Sequence, residues 1–231
     1  MHTVTRHVIP VDPANPYPLG RHVHHDSRSR NFLADLADAA AEVYHSSVGL
    51  PLNQLNLGKC TAEALCGRLN TQPGQFPTTM RVFNDTDSDQ LYGLETKNEG
   101  EPWPPNDPGG SGLAVCQAAH QLGWIHSYGH TFTFADALKG LTRRPFIIGT
   151  NWYDSMFNPD SKGLVTISPD ASIAGGHEYL CVRNLPSDQL LGFWNSWGGA
   201  WGPCGGMFYM EYSTVERLLG EQGDVTFPYV R

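Results

Sequence analysis

Apolar residues recur at helical spacing in the first half of the chain and gather into short runs in the second half. The stripes over residues 31–44 and from Cys60 to Leu69 predict two helices. Residues 113–122 predict a third helix, which ends at Gly123. The stretch 71–112 between them is rich in Pro, Gly, Asn and Asp and is typical of a loop.

The second half carries β-branched and aromatic runs that predict strands. They cover residues 145–153, 178–183, 190–195 and 206–212. Four prolines within residues 1–30 exclude a helix there, so an extended N-terminal arm is expected. Helices first and strands second favour an α+β fold with two lobes. We predict an arm over residues 1–30, a mainly helical lobe over 31–130 and a mainly β lobe over 131–231, with a cleft between the lobes.

The composition indicates a globular protein and disfavours nucleic-acid and membrane partners. The 231 residues are 40% apolar and 16% charged, which is ordinary globular material with enough chain for a sizeable core. A net charge of −8 disfavours a nucleic-acid partner, because such binding gains from a basic face. No apolar run approaches the ~20 residues that span a membrane, and residues 1–20 lack the apolar region of a signal peptide. We therefore expect a cytoplasmic protein without a membrane partner.

The cysteines and histidines leave room for one reactive thiol. Five cysteines without a C-x-x-C pair indicate neither a disulfide framework nor a zinc site. Three lie in apolar segments and are expected in the core: Cys66, Cys116 and Cys181. Cys204 lies in a Gly-Pro-Cys-Gly loop and is a candidate for exposure or pairing. The arm histidines His22, His24 and His25 lack a completing ligand pattern, so we predict a solvated arm, no metal and no cofactor.

Cys60 is the cysteine best placed for nucleophilic chemistry. It stands where a turn meets a helix start, and the unpaired N–H groups and helix dipole there favour a thiolate. Gln54 could place its amide beside the Cys60 N–H as an oxyanion hole. His177 precedes one predicted strand and Asn195 ends the next, so antiparallel pairing could join them as base and orienting group.

The motifs around these residues resemble papain-like cysteine peptidases. The run Asn195-Ser-Trp-Gly followed by Trp201-Gly202 and a Gly-Met-Phe strand matches one family signature. Gly176-His177-Glu178 fits the family's histidine-bearing strand, and the Gln-to-Cys spacing matches another signature. Gly109-Gly110 resembles the double glycine that begins a segment pairing with the substrate backbone.

The resemblance implies a two-lobed papain-like fold, with Cys60 on the helical lobe and His177 and Asn195 on an antiparallel, barrel-like β lobe. It implies a thiol peptidase with a resting thiolate–imidazolium pair and a thioester intermediate, in which Asn195 orients His177 and Gln54 completes the oxyanion hole. The substrate-binding residues carried over are Gly109, Gly110, Gly176, Glu178 and Trp197. Glu178 borders the pocket for the residue two before the scissile bond, where a carboxylate would favour Lys or Arg.

Departures from the family leave alternatives open. Leu57 stands where the family usually has a disulfide cysteine, and Thr61 stands where the family usually has a Trp after the nucleophile. The run from Asn53 to Ala62 is more similar to bacterial and phage members, which often lack that disulfide. A phage origin would place the protein in the host cytoplasm. Cys60 comes too early for a long propeptide, so the arm could restrain activity if it crosses the cleft. A peptidoglycan amidase or transpeptidase with the same triad, or a catalytically silent binding protein, remains a competing hypothesis.

Overall fold

The computed structural model describes residues 3–72 and 81–230, in which five α-helices and nine strands are mixed along the chain. The helices are α1 Cys60–Leu69, α2 Asp85–Asn98, α3 Gly112–Gln121, α4 Phe134–Arg143 and α5 Tyr212–Gly220. The strands are β1 Val4–His7, β2 Val23–Asp26, β3 Val43–Tyr44, β4 Ile125–Thr131, β5 Phe146–Tyr153, β6 Ile173–Leu185, β7 Leu190–Trp194, β8 Met207–Glu211 and β9 Asp224–Val230. None of these helices is long and apolar enough to cross a membrane.

Seven strands form one antiparallel sheet in the order β4-β9-β5-β6-β7-β8, with β3 also paired to β6. Strands β4 and β8 end this order and do not pair with each other, so the described part of the chain contains no closed barrel. The barrel-like lobe predicted from the family is therefore corrected to an open sheet.

The central strand β6 separates two hydrophobic clusters. On one side, Leu180 and Val182 pack with residues of α1, α2 and α3. On the other side, Tyr179 and Cys181 pack with aromatic residues of β5, β7, β8 and β9. Because both faces of β6 are buried, residues 178–183 form a nearly continuous apolar run rather than an alternating one. The α+β architecture with a helical lobe and a β lobe is confirmed.

Several sequence predictions match the structure. The helices predicted at Cys60 and at Leu113 are confirmed as α1 and α3. The four predicted strands are confirmed as β5, part of β6, β7 and β8. The sequence analysis did not predict α4, α5, β4 or β9, because many polar residues are interspersed among their apolar positions.

The helix predicted over residues 31–44 is wrong. Its apolar stripe has no core to cover, because Phe32 and Leu33 are 57% and 67% exposed. The backbone instead pairs with the edge of β4: the Ala34 N–H donates to the His130 carbonyl at 2.9 Å, and the His130 N–H donates to Phe32 at 2.7 Å. Pairing with a sheet edge therefore outweighs the local helical propensity.

The loop predicted over residues 71–112 is wrong where α2 forms. Asn84 caps this helix through its side chain, which accepts from the Thr86 and Asp87 N–H groups at 2.9 and 3.3 Å. Only a narrow apolar face containing Leu91 and Tyr92 is buried, so the Asp- and Asn-rich remainder hid the helical pattern. Residues 73–80 of the predicted loop lie outside the described residues.

The N-terminal arm crosses the cleft between the lobes. Strands β1 and β2 pair with each other, and a short 3₁₀ helix follows at Ser27–Asn31. Residues 8–22 leave this strand pair and run through the cleft, where the Gly110 N–H donates to the Gly20 carbonyl at 2.8 Å. The prediction of a solvated arm is wrong for Arg21 and His22, which are 1% and 2% exposed.

Candidate active site

The candidate site lies where α1 of the helical lobe meets β6 of the β lobe. Cys60 is the first residue of α1 and is fully buried. The loop before it is joined to the β lobe, because the Gln54 N–H donates to Ser196 at 2.8 Å and the Gly198 N–H donates to Leu52 at 3.1 Å. These bonds hold the loop that leads into Cys60 against the loop that follows β7.

His177 and Asn195 are brought together by the pairing of neighbouring strands. His177 lies on β6, and Asn195 directly follows β7. The His177 Nε2 atom is 2.8 Å from the Asn195 Oδ1 atom, which also accepts the Ser196 N–H at 2.8 Å. An amide oxygen can only accept, so Nε2 carries the proton and Nδ1 keeps its lone pair. Nδ1 is buried and has no hydrogen-bond partner among the described residues.

Aromatic rings enclose the imidazole. The Trp197 indole stacks on His177 with ring centroids 4.6 Å apart, and Trp152 meets the imidazole edge-on at 5.0 Å. The arm residue Tyr17 stacks on Trp197 at 4.8 Å. These rings keep water from the bond between His177 and Asn195, the role that the family resemblance implies for Trp197.

With the arm in place, the thiol and the imidazole both favour their neutral forms. Burial raises the pKa of Cys60 far above its ordinary value, although backbone hydrogen bonds from Glu178 and Gly20 oppose this shift. Burial also lowers the pKa of His177 to about 4, against a smaller opposing effect of Asn195. The expected thiolate–imidazolium pair is therefore disfavoured in this arm-covered form.

The Gln54 side chain is held in place by a partner that the sequence did not single out. The Ser196 hydroxyl donates to Gln54 Oε1 at 2.6 Å, and the amide Nε2 donates to the Leu57 carbonyl at 2.7 Å. The same Nε2 lies 3.3 Å from the Pro18 carbonyl of the arm, which also accepts the Trp197 Nε1 proton at 3.2 Å. An arm carbonyl thus occupies the place where the resemblance puts a substrate oxygen.

The predicted backbone-binding glycines all contact the arm. The Gly20 and Arg21 N–H groups donate to the Gly176 carbonyl at 3.1 and 2.9 Å, and the His22 N–H donates to Gly110 at 2.6 Å. Arg21 pairs with Gly110 in the parallel sense. Gly109 has a φ of +82°, and a Cβ on it would collide with the Gly20 carbonyl, so only glycine lets the arm approach this closely.

The Glu178 side chain lies in a buried pocket on the strand that carries His177. Its neighbours there are Asp224 at the start of β9 and the arm residue Arg21, whose guanidinium pairs with Asp224. Burial and the charge of Asp224 raise the pKa of Glu178 well above its ordinary value, whereas Arg21 lowers it. Asp224 carries no sequence signature, and only the pairing of β9 with β5 reveals its place.

A buried carboxyl group supports the residue after Cys60. Glu95 of α2 accepts the Thr61 hydroxyl at 2.9 Å and the Ser111 N–H at 3.0 Å. Burial raises the pKa of Glu95 well above its ordinary value. Thr61, the departure from the family's Trp, therefore links α1 to the glycine segment before α3. The sequence could not show this contact because α2 was predicted as loop.

The remaining cysteines form no disulfide among the described residues. Cys66, Cys116 and Cys181 are buried free thiols, and Cys204 is a free, partly exposed thiol whose Sγ lies 3.5 Å from the Lys162 carbonyl. Within residues 3–72 and 81–230, no group of three His, Cys, Asp or Glu side chains is arranged to hold a metal ion.

Comparison with known sequences gives no relative. No protein-family model matches the chain, and no curated protein matches it.

Comparison with solved structures gives many similar chains. Xylellain, a cysteine protease from Xylella fastidiosa, superposes with a TM-score of 0.76 at 17% identity, over 96% of this chain and 99% of its own. Procathepsin B from Trypanosoma congolense gives 0.56 at 10% identity, over 97% and 86% of the two chains. A Carica candamarcensis cysteine protease in complex with E-64 gives 0.55 at 15% identity, over 80% and 94%. The chain thus has the papain-like cysteine protease fold, and the fold implied by its motifs is confirmed.

Proposed function

We propose that this chain is a thiol peptidase that works through Cys60, His177 and Asn195. One observation carries the proposal: His177 Nε2 donates a hydrogen bond to Asn195 Oδ1, so the buried Nδ1 atom keeps a lone pair that can accept the proton of Cys60. The papain-like fold of the chain supports the same activity.

The proposed reaction has two stages, acylation of Cys60 and hydrolysis of the resulting thioester, and His177 accepts and returns a proton in each stage. Nδ1 of His177 takes the Cys60 proton as the sulfur attacks the scissile carbonyl carbon, and the oxyanion forms beside the Gln54 amide and the Cys60 N–H. His177 then gives its proton to the leaving amine, so that the C–N bond breaks and a thioester remains. A water molecule, deprotonated by His177, hydrolyses the thioester and restores the Cys60 thiol.

The full-length chain is latent in this proposal. Cys60 and His177 are fully buried while the arm lies in the cleft. Cleavage therefore requires the arm to leave the cleft. Solvent then reaches both groups, which shifts the pKa of each back toward its ordinary value and favours the ion pair.

Gly20→Ala provides a test in the full-length protein. A Cβ at residue 20 would collide with the Gly58 backbone, so this variant should unseat the arm. Gly220→Ala is the matched control, because nothing lies within 4 Å of a Cβ there. We expect the first variant, under reducing conditions, to hydrolyse casein and to be alkylated at Cys60 by iodoacetamide, with wild type and Gly220→Ala much slower.

Three results would contradict the proposal. Casein hydrolysis that survives Cys60→Ala would exclude Cys60 as the nucleophile. Release of fragments from purified peptidoglycan without casein hydrolysis would favour the amidase or transpeptidase hypothesis. An exposed Cys60 that neither reacts with iodoacetamide nor supports any hydrolysis would identify a silent binding protein.

A further inference from the structure

A cavity of about 420 Å³ lies between the arm and the β lobe. Its arm wall is formed by β1, β2 and the 3₁₀ helix, and its opposite wall by the last residues of β4 and the first residues of β9. Cys60, His177 and Asn195 lie outside its lining, so the cavity is distinct from the catalytic groups. Its volume falls in the range of roughly 300–1,000 Å³ that is typical of sites for small organic ligands.

Two buried side chains of the lining have polar atoms without a partner. His130 and Thr131 line the cavity and are 7% and 8% exposed. Neither the His130 Nε2 atom nor the Thr131 hydroxyl has a hydrogen-bond partner among the described residues. The other ring nitrogen, His130 Nδ1, lies 3.2 Å from the Thr226 hydroxyl. A buried polar group without a partner is costly, so a ligand that hydrogen-bonds to both atoms would remove this cost.

Hydroxyl groups and imidazoles predominate among the polar side chains of the lining. Burial lowers the pKa of His130, so this ring is neutral near pH 7 and can donate at one nitrogen and accept at the other. Serine and threonine hydroxyls likewise donate and accept. The polar lining therefore complements a ligand rich in hydroxyl groups, which donate and accept in the same way.

The charged side chains of the lining favour a ligand without net charge. Asp26 accepts from Arg28 Nε at 3.0 and 2.8 Å, and Asp224 pairs with Arg21. Both carboxylates are thus already compensated by an arginine. The remaining charged residue, Arg30, is a cation. An anionic ligand would lie against two carboxylates and a cationic ligand against Arg30, so neither sign of charge matches the whole lining.

An apolar surface completes the cavity. Phe132 lines it and is 53% exposed, with the Arg30 guanidinium 5.4 Å from the centre of its ring. Leu113 and Val225 line it as buried residues. A saccharide ring carries hydroxyl groups around its edge and C–H groups on its faces. Such a ring can therefore hydrogen-bond to hydroxyls and imidazoles and cover an aromatic side chain at the same time.

We propose that this cavity binds a neutral saccharide, which hydrogen-bonds to His130 and Thr131 and covers Phe132, and that the bound saccharide holds the arm in the cleft. The first part is a binding site outside the catalytic groups and stands independently of them. The second part rests on the proposed function, because it adds a ligand to the latency of the full-length chain.

The walls of the cavity explain why its ligand would act on the arm. A ligand that contacts both β2 and β9 loses half of its partners when the arm leaves. It therefore binds the docked form more tightly than the released form, and by linkage its presence favours docking. Asp224 belongs to both places, because it lines the cavity and pairs with Arg21 of the arm.

Isothermal titration calorimetry of the full-length protein tests the binding. The probes are the neutral sugars glucose, galactose, N-acetylglucosamine and maltose, with glucosamine and glucuronate as charged counterparts. We expect at least one neutral sugar to bind with a millimolar or lower Kd, and both charged sugars to bind severalfold more weakly. Absence of binding heat with every neutral sugar would identify a cavity that holds water only and would overturn the inference. Tighter binding of either charged sugar would overturn it as well.

Two variants connect the binding with the cavity. Thr131→Val removes the unpartnered hydroxyl and Phe132→Ala removes the exposed ring, and each should raise Kd about fivefold or more. The matched controls are Thr166→Val, at an exposed residue next to the backbone bond from Val165 to β8, and Tyr44→Ala, at an exposed residue of β3. Both controls should leave Kd unchanged. Because Phe132 is exposed, its variant keeps the test decisive should Thr131→Val fail to fold. An unchanged Kd in the folded cavity variants would overturn the site.

Hydrogen–deuterium exchange tests the effect on the arm. The N–H groups of Gly20, Arg21 and His22 donate to Gly176 and Gly110, so they exchange when the arm leaves the cleft. At a sugar concentration ten times Kd, their exchange should slow by about tenfold, because the bound sugar lowers the population of the released arm by that factor. Unchanged exchange in the presence of bound sugar would overturn the second part of the inference.

Both measurements are independent of catalysis, so the two proposals fail separately. If a sugar binds and slows exchange while Gly20→Ala hydrolyses no casein, the peptidase proposal fails and the saccharide site stands. If Gly20→Ala hydrolyses casein while no neutral sugar binds, the saccharide site fails and the peptidase function stands.

Discussion

The Asn195 side chain decides which nitrogen of His177 can act as a base. Its oxygen binds both the Nε2 proton and the Ser196 N–H, so the amide cannot rotate without losing two hydrogen bonds. Trp197 and Trp152 then fix the plane of the ring from two directions. One amide oxygen therefore sets the tautomer, and two indoles set the orientation of the base.

Removal of Asn195 should be less damaging than removal of His177. In an arm-unseated Gly20→Ala background, His177→Ala eliminates the base, whereas Asn195→Ala leaves an imidazole that adopts several orientations and both tautomers. We expect kcat on a coumarin peptide to fall further in His177→Ala than in Asn195→Ala. A larger loss in Asn195→Ala, with both variants folded by circular dichroism, would contradict the assigned roles.

Gln54→Ala should reduce kcat by about 10²–10³, the usual effect of losing one oxyanion donor. Ser196→Ala should reduce it less, because Ser196 only orients the amide through its 2.6 Å bond to Oε1. Substrate KM should change little in either variant, since the oxyanion forms after binding. Loss of binding with unchanged kcat would argue for a purely structural Gln54.

At the residue scale, four candidate residues were visible in the sequence because each stands in a motif with a fixed spacing: Cys60, Gln54, His177 and Asn195. The structure brings His177 and Asn195 into hydrogen-bond contact. The sequence did not indicate Asp224 or Arg21, whose contact joins residues more than two hundred positions apart. Such a contact depends on strand order and on the path of the arm. Local sequence patterns contain neither the strand order nor the path of the arm.

Among the elements, α1 begins with a buried ion pair as well as the candidate nucleophile. Lys59 Nζ lies 3.0 Å from Glu63 Oε1 and 2.6 Å from Asp89 Oδ1. Both Lys59 and Glu63 are nearly fully buried. Burial raises the pKa of Glu63 to about 7 despite the attraction of Lys59. The helix that presents Cys60 thus starts with a carboxyl group that titrates near neutrality.

Glu63 should make the protein less stable as the pH rises. The folded pKa of about 7 lies above the ordinary 4.5, so the native state alone holds the proton between these values. This proton stabilises the folded state by up to about 3 kcal/mol of unfolding free energy below pH 4.5, and the stabilisation is lost as the pH rises toward 7. Glu63→Gln should therefore gain stability relative to wild type between pH 5 and pH 8, measured by urea unfolding.

The control for this prediction is Glu216→Gln, at an exposed carboxylate of α5. The difference in unfolding free energy between Glu216→Gln and wild type should be the same at pH 5 and at pH 8. A Glu63→Gln variant that behaves in the same way would contradict the raised pKa of Glu63.

Elements with one broad apolar stripe or a continuous apolar run were predictable, as α1, α3 and β5 show. The helix expected over residues 31–44 had such a stripe but no partner to bury it, whereas α2 had a partner but only a narrow stripe. Helix formation in proteins depends mainly on tertiary packing, which a local pattern cannot report. The open sheet likewise depends on strand order, which the family resemblance described only approximately.

In the whole molecule the arm contacts both lobes. It binds Gly110 on one side and Gly176 on the other, and it places Tyr17 on Trp197. The arm therefore lies along the same groups that the proposed function assigns to substrate binding.

Activation should not require the protein to cut its own arm. Wild-type protein given a coumarin peptide should show a low rate per molecule that stays constant when the protein is diluted, because arm release is unimolecular. Intact mass spectrometry after incubation should return the full-length chain. A lag that shortens as protein concentration rises, together with a fragment cut between residues 17 and 22, would contradict this prediction.

The pairing of β1 with β2 has one more consequence. Because these strands hold both ends of residues 8–22, this segment of the arm is a closed loop, further anchored where Arg6 contacts Glu99, directly after α2, at 3.1 Å. Closing the loop in advance lowers the conformational entropy that docking must remove. A single break in the backbone of residues 8–22 would leave two tethered ends that can both return to the cleft, so restraint would survive a nick that removes an ordinary propeptide.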